Sequence, residues 1–509
     1  MSTNYTAAID FGSAKIAIAA GFRTESGVRI VSYHDAASSG IKNGEIINEF
    51  KVEQTVKELM KMVEQDLGDT VDEVVTGVGA RFVHGIFSSN VKQRPVPDSY
   101  ITESEVSELT KERFSDKKIE GEIVYEVSPI KYTIDEYNGL NGSEIQGMAG
   151  KSIEATYLLA FASENLLRKR RTILNRCGIS LKKAILNPVA SARAVLTEQE
   201  MENGVAMIDI GKGTTEIAII KENVLRNVAS IPFGGESITN DIKSMTGTTS
   251  KWAEEAKVRN GCCCEEFVPE NTKLVLKGKE DMIEGEIDLN LMTRVIEARM
   301  IEILEAAKYV IEQSKHKSEL ASGIVITGGS CYMENLKQLA GAIFGRKVRL
   351  AAPRNSITGE SADACFDAYA STVVGLVLEG VTPMLSNAQT YAPSISAKPD
   401  QYQSADQPQL QLEPEPEPEP EFEPEHHEPA RSGGNIFTDF FRSGQKNSQK
   451  SEKQMNREEE ARRKKEEDAK RKEEEKRLKE EQKRRRAEER KNQPGLFDTF
   501  FSSSNNDNA

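Results

Sequence analysis

The residues best equipped for chemistry lie in one stretch, Val205-Ala206-Met207-Ile208-Asp209-Ile210-Gly211-Lys212-Gly213-Thr214-Thr215-Glu216-Ile217-Ala218-Ile219-Ile220. Two runs rich in β-branched residues flank a turn of one acid, two glycines and two hydroxyls, which reads as a β-hairpin. Glycine lets backbone N–H groups come close to phosphate oxygens and point at them. Asp209 ends a buried strand, where it can hold a hydrated divalent cation, while Thr214 and Thr215 can donate to phosphate. Taken alone, the stretch also fits an ordinary hairpin with a Gly-rich turn. The same plan occurs near the start, in Ala7-Ala8-Ile9-Asp10-Phe11-Gly12-Ser13-Ala14-Lys15-Ile16-Ala17-Ile18-Ala19. Two such hairpins, about two hundred residues apart, imply two similar domains facing one nucleotide.

Three further stretches carry candidate nucleotide contacts. Ile324-Val325-Ile326-Thr327 reads as a buried strand entering the turn Gly328-Gly329-Ser330 and then a helix. Gly234-Gly235 precedes another helix, where free N–H groups can approach a phosphate or a ribose. Glu254 and Lys257 stand at i and i+3 of a helix and could grip ribose hydroxyls and adenine. A surface ion pair is the competing reading, and spacing alone favours it. Asp10-Phe11-Gly12 also spells a kinase tripeptide, but no kinase lobe fits before residue 10 and no His-Arg-Asp loop occurs.

The elements that must position these residues alternate between strand and helix patterns. Val28–His34 and Val71–Val78 read as strands, and Val52, Val56, Leu59, Met60 and Val63 recur at helical spacing through Leu67. From residue 85 the pattern changes to a small α+β unit. Gly85–Val91, Ile123–Val127, Lys131–Ile134 and Ile153–Ala162 read as strands there, and Thr102-Glu103-Ser104-Glu105 as a capping box. The simpler alternative is that this segment elaborates the first domain. A basic-faced helix over Glu164–Cys177 and a strand over Leu181–Leu186 follow. A Pro-started helix over Asn187–Leu196 comes next, its small residues suited to close packing. Leu289–Gln313 reads as one long helix.

The chain has 509 residues and a net charge of −14, enough for two or more domains. Residues 446–493 hold 20 Lys/Arg against 14 Asp/Glu, a net +6 that leaves −20 for the remainder. An acidic body argues against nucleic acid as a partner. Six cysteines form no disulfide-like framework, and adjacent Cys262-Cys263-Cys264 cannot readily chelate one metal together, so they read as packed or tolerated thiols. Without a signal peptide or a run of eighteen apolar residues, the expected location is cytoplasmic, with any membrane contact peripheral.

The order of these motifs resembles a known family. The hairpin pair with a Gly-Gly turn is similar to the superfamily of actin, sugar kinases and heat-shock chaperones, in which that turn lies against the adenosine. The insertion at 85–163, Asp209-Ile210-Gly211, Glu254-Glu255-Ala256-Lys257-Val258-Arg259, Val295-Ile296-Glu297-Ala298-Arg299 and Thr327-Gly328-Gly329 resemble the bacterial cell-division protein FtsA, over about residues 5–380. The resemblance implies an α/β, actin-like two-domain ATPase fold with an inserted α+β subdomain. Its parts would be a first phosphate subdomain (1–84 and 164–198), an inserted interaction subdomain called 1C (85–163; SHS2-like), a second phosphate subdomain (199–240 and 320–380) and a small subdomain (241–319). It implies ATP with Mg²⁺ between the lobes, Asp10 and Asp209 holding the cation through water. Gly12, Ser13, Lys15, Gly211, Lys212, Gly213, Thr214, Thr215, Gly234, Gly235, Glu254, Lys257, Gly328, Gly329 and Ser330 would surround the nucleotide. The implied partners are further copies in filaments, later division proteins and the C-terminal peptide of the tubulin-like FtsZ, near Arg299. The implied place is the cytoplasmic face of the membrane at the division septum. Two departures stand out. Lys212 replaces the family's usual Gly. Asn187 stands before a Pro where the related filament protein MreB has an acid that helps activate water, and Asn cannot take a proton, so hydrolysis should be slow. A metabolite kinase of the same superfamily is the alternative, but it has no use for the tail described next.

From about residue 381 the composition turns to Ser, Ala, Gln and Pro, and 413–425 is nearly alternating Glu-Pro, which reads as an extended disordered spacer over 381–433. Two copies of aliphatic-Phe-x-x-Phe-Phe follow within 434–442 and 495–503. Ile436, Phe437, Phe440 and Phe441 share one helical face, as do Leu496, Phe497, Phe500 and Phe501. Interfacial insertion into anionic lipid is the favoured use, with docking on the body the alternative. Residues 452–491 between them carry many Glu-to-Lys/Arg pairs at i,i+4 and no apolar heptad, so they read as a single charged helix.

Overall fold

The computed structural model describes residues 5–79, 81–115, 119–269, 272–277, 283–353, 357–359 and 362–388. The spacer beyond 388, both Phe motifs and the charged stretch lie outside the described residues.

Apolar β-branched runs form the first three strands, β1 Thr6–Phe11, β2 Lys15–Thr24 and β3 Gly27–Ala37. A short hairpin, β4 Ile41–Lys42 and β5 Glu45–Ile46, leads into α1 Glu49–Leu67 and β6 Glu73–Val78. Helix α1 starts where the Asn48 side chain accepts from the Lys51 N–H at 3.1 Å and stops at Gly68, left-handed at φ 65°. The five apolar residues at helical spacing are its buried face.

The inserted segment comprises β7 His84–Gln93, α2 Glu103–Glu112, β8 Glu122–Ile134, β9 Tyr137–Leu140, α3 Gly142–Ile145 and β10 Ser152–Ser163. After it come α4 Glu164–Arg176, β11 Ser180–Leu186, α5 Asn187–Val195 and α6 Glu198–Asn203. The second lobe opens with β12 Val205–Ile210, β13 Thr215–Lys221 and β14 Val224–Ile231. It continues through α7 Gly235–Thr246, α8 Ser250–Asn260, the ribbon β15 Lys273–Lys277 and β16 Ile283–Asp288, and α9 Leu289–Gln313. It closes with β17 Ile324–Thr327, α10 Leu336–Phe344 and β18 Val348–Leu350, and the chain then returns to the first lobe in β19 Ile357–Thr358, α11 Ala362–Cys365 and α12 Ser371–Val381.

The lobes repeat one topology. The first sheet runs β11-β6-β1-β2-β3-β19, and the second begins β18-β17-β12-β13-β14. Each centres on an antiparallel hairpin, β1–β2 or β12–β13, whose first strand pairs in parallel with β6 or β17. Equivalent turns therefore leave equivalent strand ends. Helix α12 crosses back to lie on α5 and the first sheet.

Four sequence expectations change. Strand β8 is continuous where two strands were expected, because a register shift opposite Thr156/Tyr157 accommodates Pro129 in one bulged strand. The capping box is half made: Thr102 accepts from the Glu105 N–H at 3.3 Å, but the Glu105 carboxylate turns to Arg94 at 2.9 and 3.2 Å. The insertion does more than elaborate the first domain, since its strands β7-β10-β8-β9 extend the second lobe's sheet beyond β14. His84 pairs with Ala229, the Ser230 N–H donates to the Val83 carbonyl at 3.0 Å, and Arg226 donates to the Ile130 carbonyl at 2.8 Å. The spacer also starts later than expected. Residues 382–388 lie against the body, with N–H groups of Met384, Leu385 and Ser386 donating to buried Glu379 at 3.0, 3.0 and 3.1 Å. Ser386 Oγ and the Asn387 N–H donate to buried Glu126 at 2.7 and 2.5 Å.

Candidate functional site

The turns of both hairpins open into one cavity of about 450 Å³ between the lobes. From the first lobe come Asp10, Gly12, Ser13, Lys15 and Asn187, and from the second Asp209, Gly211, Lys212, Gly213, Thr214, Gly235, Glu254, Lys257, Gly328, Gly329 and Ser330. Strand pairing explains the placement. In both hairpins the Asp sits one residue before the end of the first strand, paired to the second strand on a face that meets the cleft. Val258, Tyr332, Met333, Ala368 and Tyr369 form a more apolar wall.

Two expected phosphate contacts are diverted. Thr215 is fully buried and its hydroxyl donates to the Phe233 carbonyl at 2.8 Å, so it holds the hairpin to the α7 approach instead of facing the cavity. Gly234 packs the start of α7 on the Gly211–Lys212 backbone and does not line the cavity; a Cβ there would come within 2.8 Å of the Lys212 carbonyl oxygen. Lys15 lines the cavity, but its ammonium is bound by Tyr33 and, at 2.6 Å, by Asp35, and lies 4.0 Å from the Tyr369 ring centre. The turn after β17 passes through a 3₁₀ helix, Gly329–Tyr332, before the expected helix, α10.

Glu254 and Lys257 form a pair at 2.7 Å in which Lys257 is buried while the Glu254 side chain keeps 40% exposure at the cavity, so the surface reading that spacing favoured holds for only one partner. Lys257 also donates to the Gly235 carbonyl at 2.9 Å and Thr239 Oγ1 at 2.8 Å, so three acceptors saturate it. Desolvation lowers the Lys257 pKa. Desolvation opposes ionisation of Glu254 too, but Lys257 and Thr239 together hold that carboxyl below its ordinary value. The pair packs α8 against α7 and fixes the Gly235 end of the cavity.

The floor is dense in carboxylates. Burial, and next the nearby Asp209 charge, push Asp10 up to about 6. Asp209 is raised by burial, although Ser191 Oγ donates to it at 2.7 Å. Asn187 Nδ2 approaches Asp10 Oδ1 at 3.5 Å, while Asn187 Oδ1 has no protein partner.

Three residues not picked out from the sequence complete the site. Glu216, paired across the hairpin with Asp209, lines the cavity with an unpartnered Oε1, and burial followed by the Asp209 and Asp10 charges raises it well above its ordinary value. The alternation of β13 puts it on the cleft face, a signal present in the hairpin register. Arg170 of α4 is fully buried beneath the first hairpin, its guanidinium 5.5 Å from the Phe11 ring centre and attracted by Asp10 and Glu216. Gly44, at the tip of the β4–β5 hairpin, also lines the cavity.

Other expected residues lie elsewhere. Arg299, on α9, is not a cavity residue; it forks onto Asp241 at 2.5 and 3.1 Å and reaches Glu302 at 2.7 Å. Cys262 and Cys263 are buried, with Cys263 against Met333 and its thiol raised by burial. Among the described residues no three His, Cys, Asp or Glu side chains converge as a metal cage. No described helix is long and apolar enough to cross a membrane.

Duplicated lobes around a cleft walled by two glycine-hydroxyl hairpins define a protein of the actin-like fold. The PilM–PilN type IV pilus biogenesis complex shares this fold at a TM-score of 0.52 and 14% identity, over 74% of this chain and 99% of that one. The family model "Cell division protein FtsA" matches residues 206–375. Cell division protein FtsA of Pseudomonas aeruginosa is 29% identical over 406 residues, 79% of this chain and 93% of that protein. Those of Escherichia coli K12 and Neisseria meningitidis are 28% and 27% identical, over 73% and 75% of this chain and 89% and 93% of theirs. The chain is similar over most of its length to cell-division proteins of the FtsA family.

Proposed function

We propose that this chain is an ATP-binding, filament-forming adaptor that tethers FtsZ to the cytoplasmic face of the membrane at the septum and recruits later division proteins. The observation that carries the nucleotide reading is the meeting of both glycine-hydroxyl turns in one cavity over Asp10 and Asp209. The residues fit a divalent cation: both carboxyls are raised in their burial, which an adjacent cation would relieve. Bound Mg²⁺, held through its water shell by Asp10 and Asp209, would neutralise phosphate charge. The N–H groups of Gly12, Gly211 and Gly213 and the hydroxyls of Ser13 and Thr214 would take the phosphates. Gly328, Gly329 and Met333 would take the nucleoside, with the Glu254 carboxylate, held in place by Lys257, accepting from it. Asn187 orients water without accepting its proton, so turnover is slow.

The remainder rests on sequence. Arg299 is assigned to the FtsZ C-terminal peptide, the 85–163 segment to contacts between proteins, and the two Phe motifs to anionic lipid. Mg²⁺-dependent ATP binding by calorimetry, lost in Asp209→Ala, tests the site. Electron microscopy with ATP on an anionic lipid monolayer tests the assembly. A wild-type chain that binds no ATP, or turns it over several times per second, overturns the site reading.

A further inference from the structure

The β4–β5 hairpin turns through Asn43 at φ 50° and Gly44 at φ 76°, the left-handed pair of a type I′ turn. It belongs to the first lobe, and α4 ties it down: Lys169 Nζ donates to the Ile46 carbonyl at 2.5 Å and Arg170 Nη2 to the Gly44 carbonyl at 3.4 Å. Its tip nevertheless reaches the second lobe's phosphate turn. The Asn43 amide satisfies its surroundings in one orientation, with Nδ2 donating to the Gly213 carbonyl at 3.2 Å and Oδ1 accepting from Arg81 Nε at 3.1 Å. A Cβ on Gly213 would stand 2.7 Å from Asn43 Cα and 2.7 Å from Ser13 Oγ, so the two turns and the hairpin tip share a single contact point. Below it, the Gly44 N–H donates to Ser13 Oγ at 2.8 Å and Gly44 lines the cavity. That bond occupies a lone pair of Ser13 and leaves its O–H free to donate into the cavity.

We propose that the Asn43-Gly44 tip roofs the phosphate end of the cavity and acts as a latch between the lobes, with Asn43 the positioning residue that sets the rate of nucleotide release. The inference rests on the nucleotide reading above. Asn43 moves with the first lobe because its base is bonded to α4, whereas Gly213 moves with the second. Parting the lobes to free a nucleotide must therefore break the Asn43–Gly213 bond, while the Gly44–Ser13 bond stays within the first lobe and keeps the tip in place. A neutral hydrogen bond of net ~0.5–1.5 kcal/mol corresponds to roughly a 2- to 12-fold change in rate.

The test is stopped-flow release of a fluorescent ATP analogue, with Mg²⁺, from the full chain on mixing with excess ATP. Asn43→Gly deletes the amide and tolerates the positive φ, so the hairpin is retained. Asn43→Asp keeps the size and the acceptor toward Arg81 but cannot donate to Gly213. Both variants should release the analogue several-fold faster than wild type while still melting cooperatively as folded proteins. Release at the wild-type rate from both variants overturns the latch while leaving the nucleotide reading intact. Failure of the wild-type chain to bind the analogue or ATP overturns both.

Discussion

Gly375 sits in the middle of α12 where that helix crosses α5. A Cβ built there would lie 2.9 Å from Ala190 Cα and nearer still to the Ala190 carbonyl carbon and oxygen. Two effects oppose each other in Gly375→Ala. Helix propensity favours the alanine by ~0.8–1.0 kcal/mol. Overpacking costs ~1–3 kcal/mol, and the upper end applies because the obstacle is backbone, which cannot rotate away as a side chain can. The net expectation is about 2 kcal/mol of destabilisation, a fall of several degrees in melting temperature. The damage should also reach the cleft. Asn187 and Ser191 ride on α5, and Ser191 Oγ lies 3.0 Å from Thr372 Oγ1 of α12 and 2.7 Å from Asp209. Gly341 in α10 is the control, since a Cβ there meets nothing within 4 Å. Gly341→Ala should gain the propensity term alone. Thermal melts of the two variants, with and without Mg-ATP, should shift in opposite directions, and only Gly375→Ala should weaken nucleotide binding. A Gly375→Ala protein melting at or above wild type would refute the reasoning.

Thr215→Val should lower stability by ~0.5–1.5 kcal/mol in urea unfolding, by removing the hydrogen bond from the buried Thr215 hydroxyl to the Phe233 carbonyl. ATP affinity should move little, and a large affinity loss at full stability would restore Thr215 as a phosphate donor. Burial raises Glu126 from 4.5 to about 7, against the donors Ser386 and Asn387 and the Lys183 charge, with the Glu379 charge adding to the rise. The folded state then holds more protons than the unfolded state between about pH 4.5 and 7, so this group's contribution falls as pH rises through that window. Melting temperatures from pH 5 to 8 should decline more in wild type than in Glu126→Gln, and parallel profiles would contradict this. Phe440→Asp and Phe500→Asp should each weaken sedimentation with anionic liposomes, and the double variant should lose it. Undiminished binding by the double variant would favour docking of the Phe motifs on protein.

The sequence by itself determined the parts of the fold whose causes are local. Alternation and a glycine turn specify each hairpin without outside help, so the residue pattern alone puts Asp10 and Asp209 at equivalent strand ends. Helix α9 was equally legible, with Asp288 capping the Leu291 N–H at 2.8 Å and apolar residues at helical spacing along the buried side. The Asn43-Gly44 turn carried a strong local signal too, though nothing local says what its tip touches. Tertiary structure decided which polar groups face the cavity. Thr215 and Thr214 are neighbours of the same chemistry, but the start of α7 brings the Phe233 carbonyl to one and leaves the other lining the cleft. Glu254 and Lys257 have the spacing of a surface pair, and only the packing of α8 on α7 withdraws Lys257 from water. Arg170 lies in a helix of basic residues and is buried because α4 passes beneath the first hairpin. The insertion joins the second lobe's sheet through a contact between residues 84 and 229. Spacing along the chain records local geometry, while desolvation and the choice of hydrogen-bond partner depend on atoms supplied by distant segments.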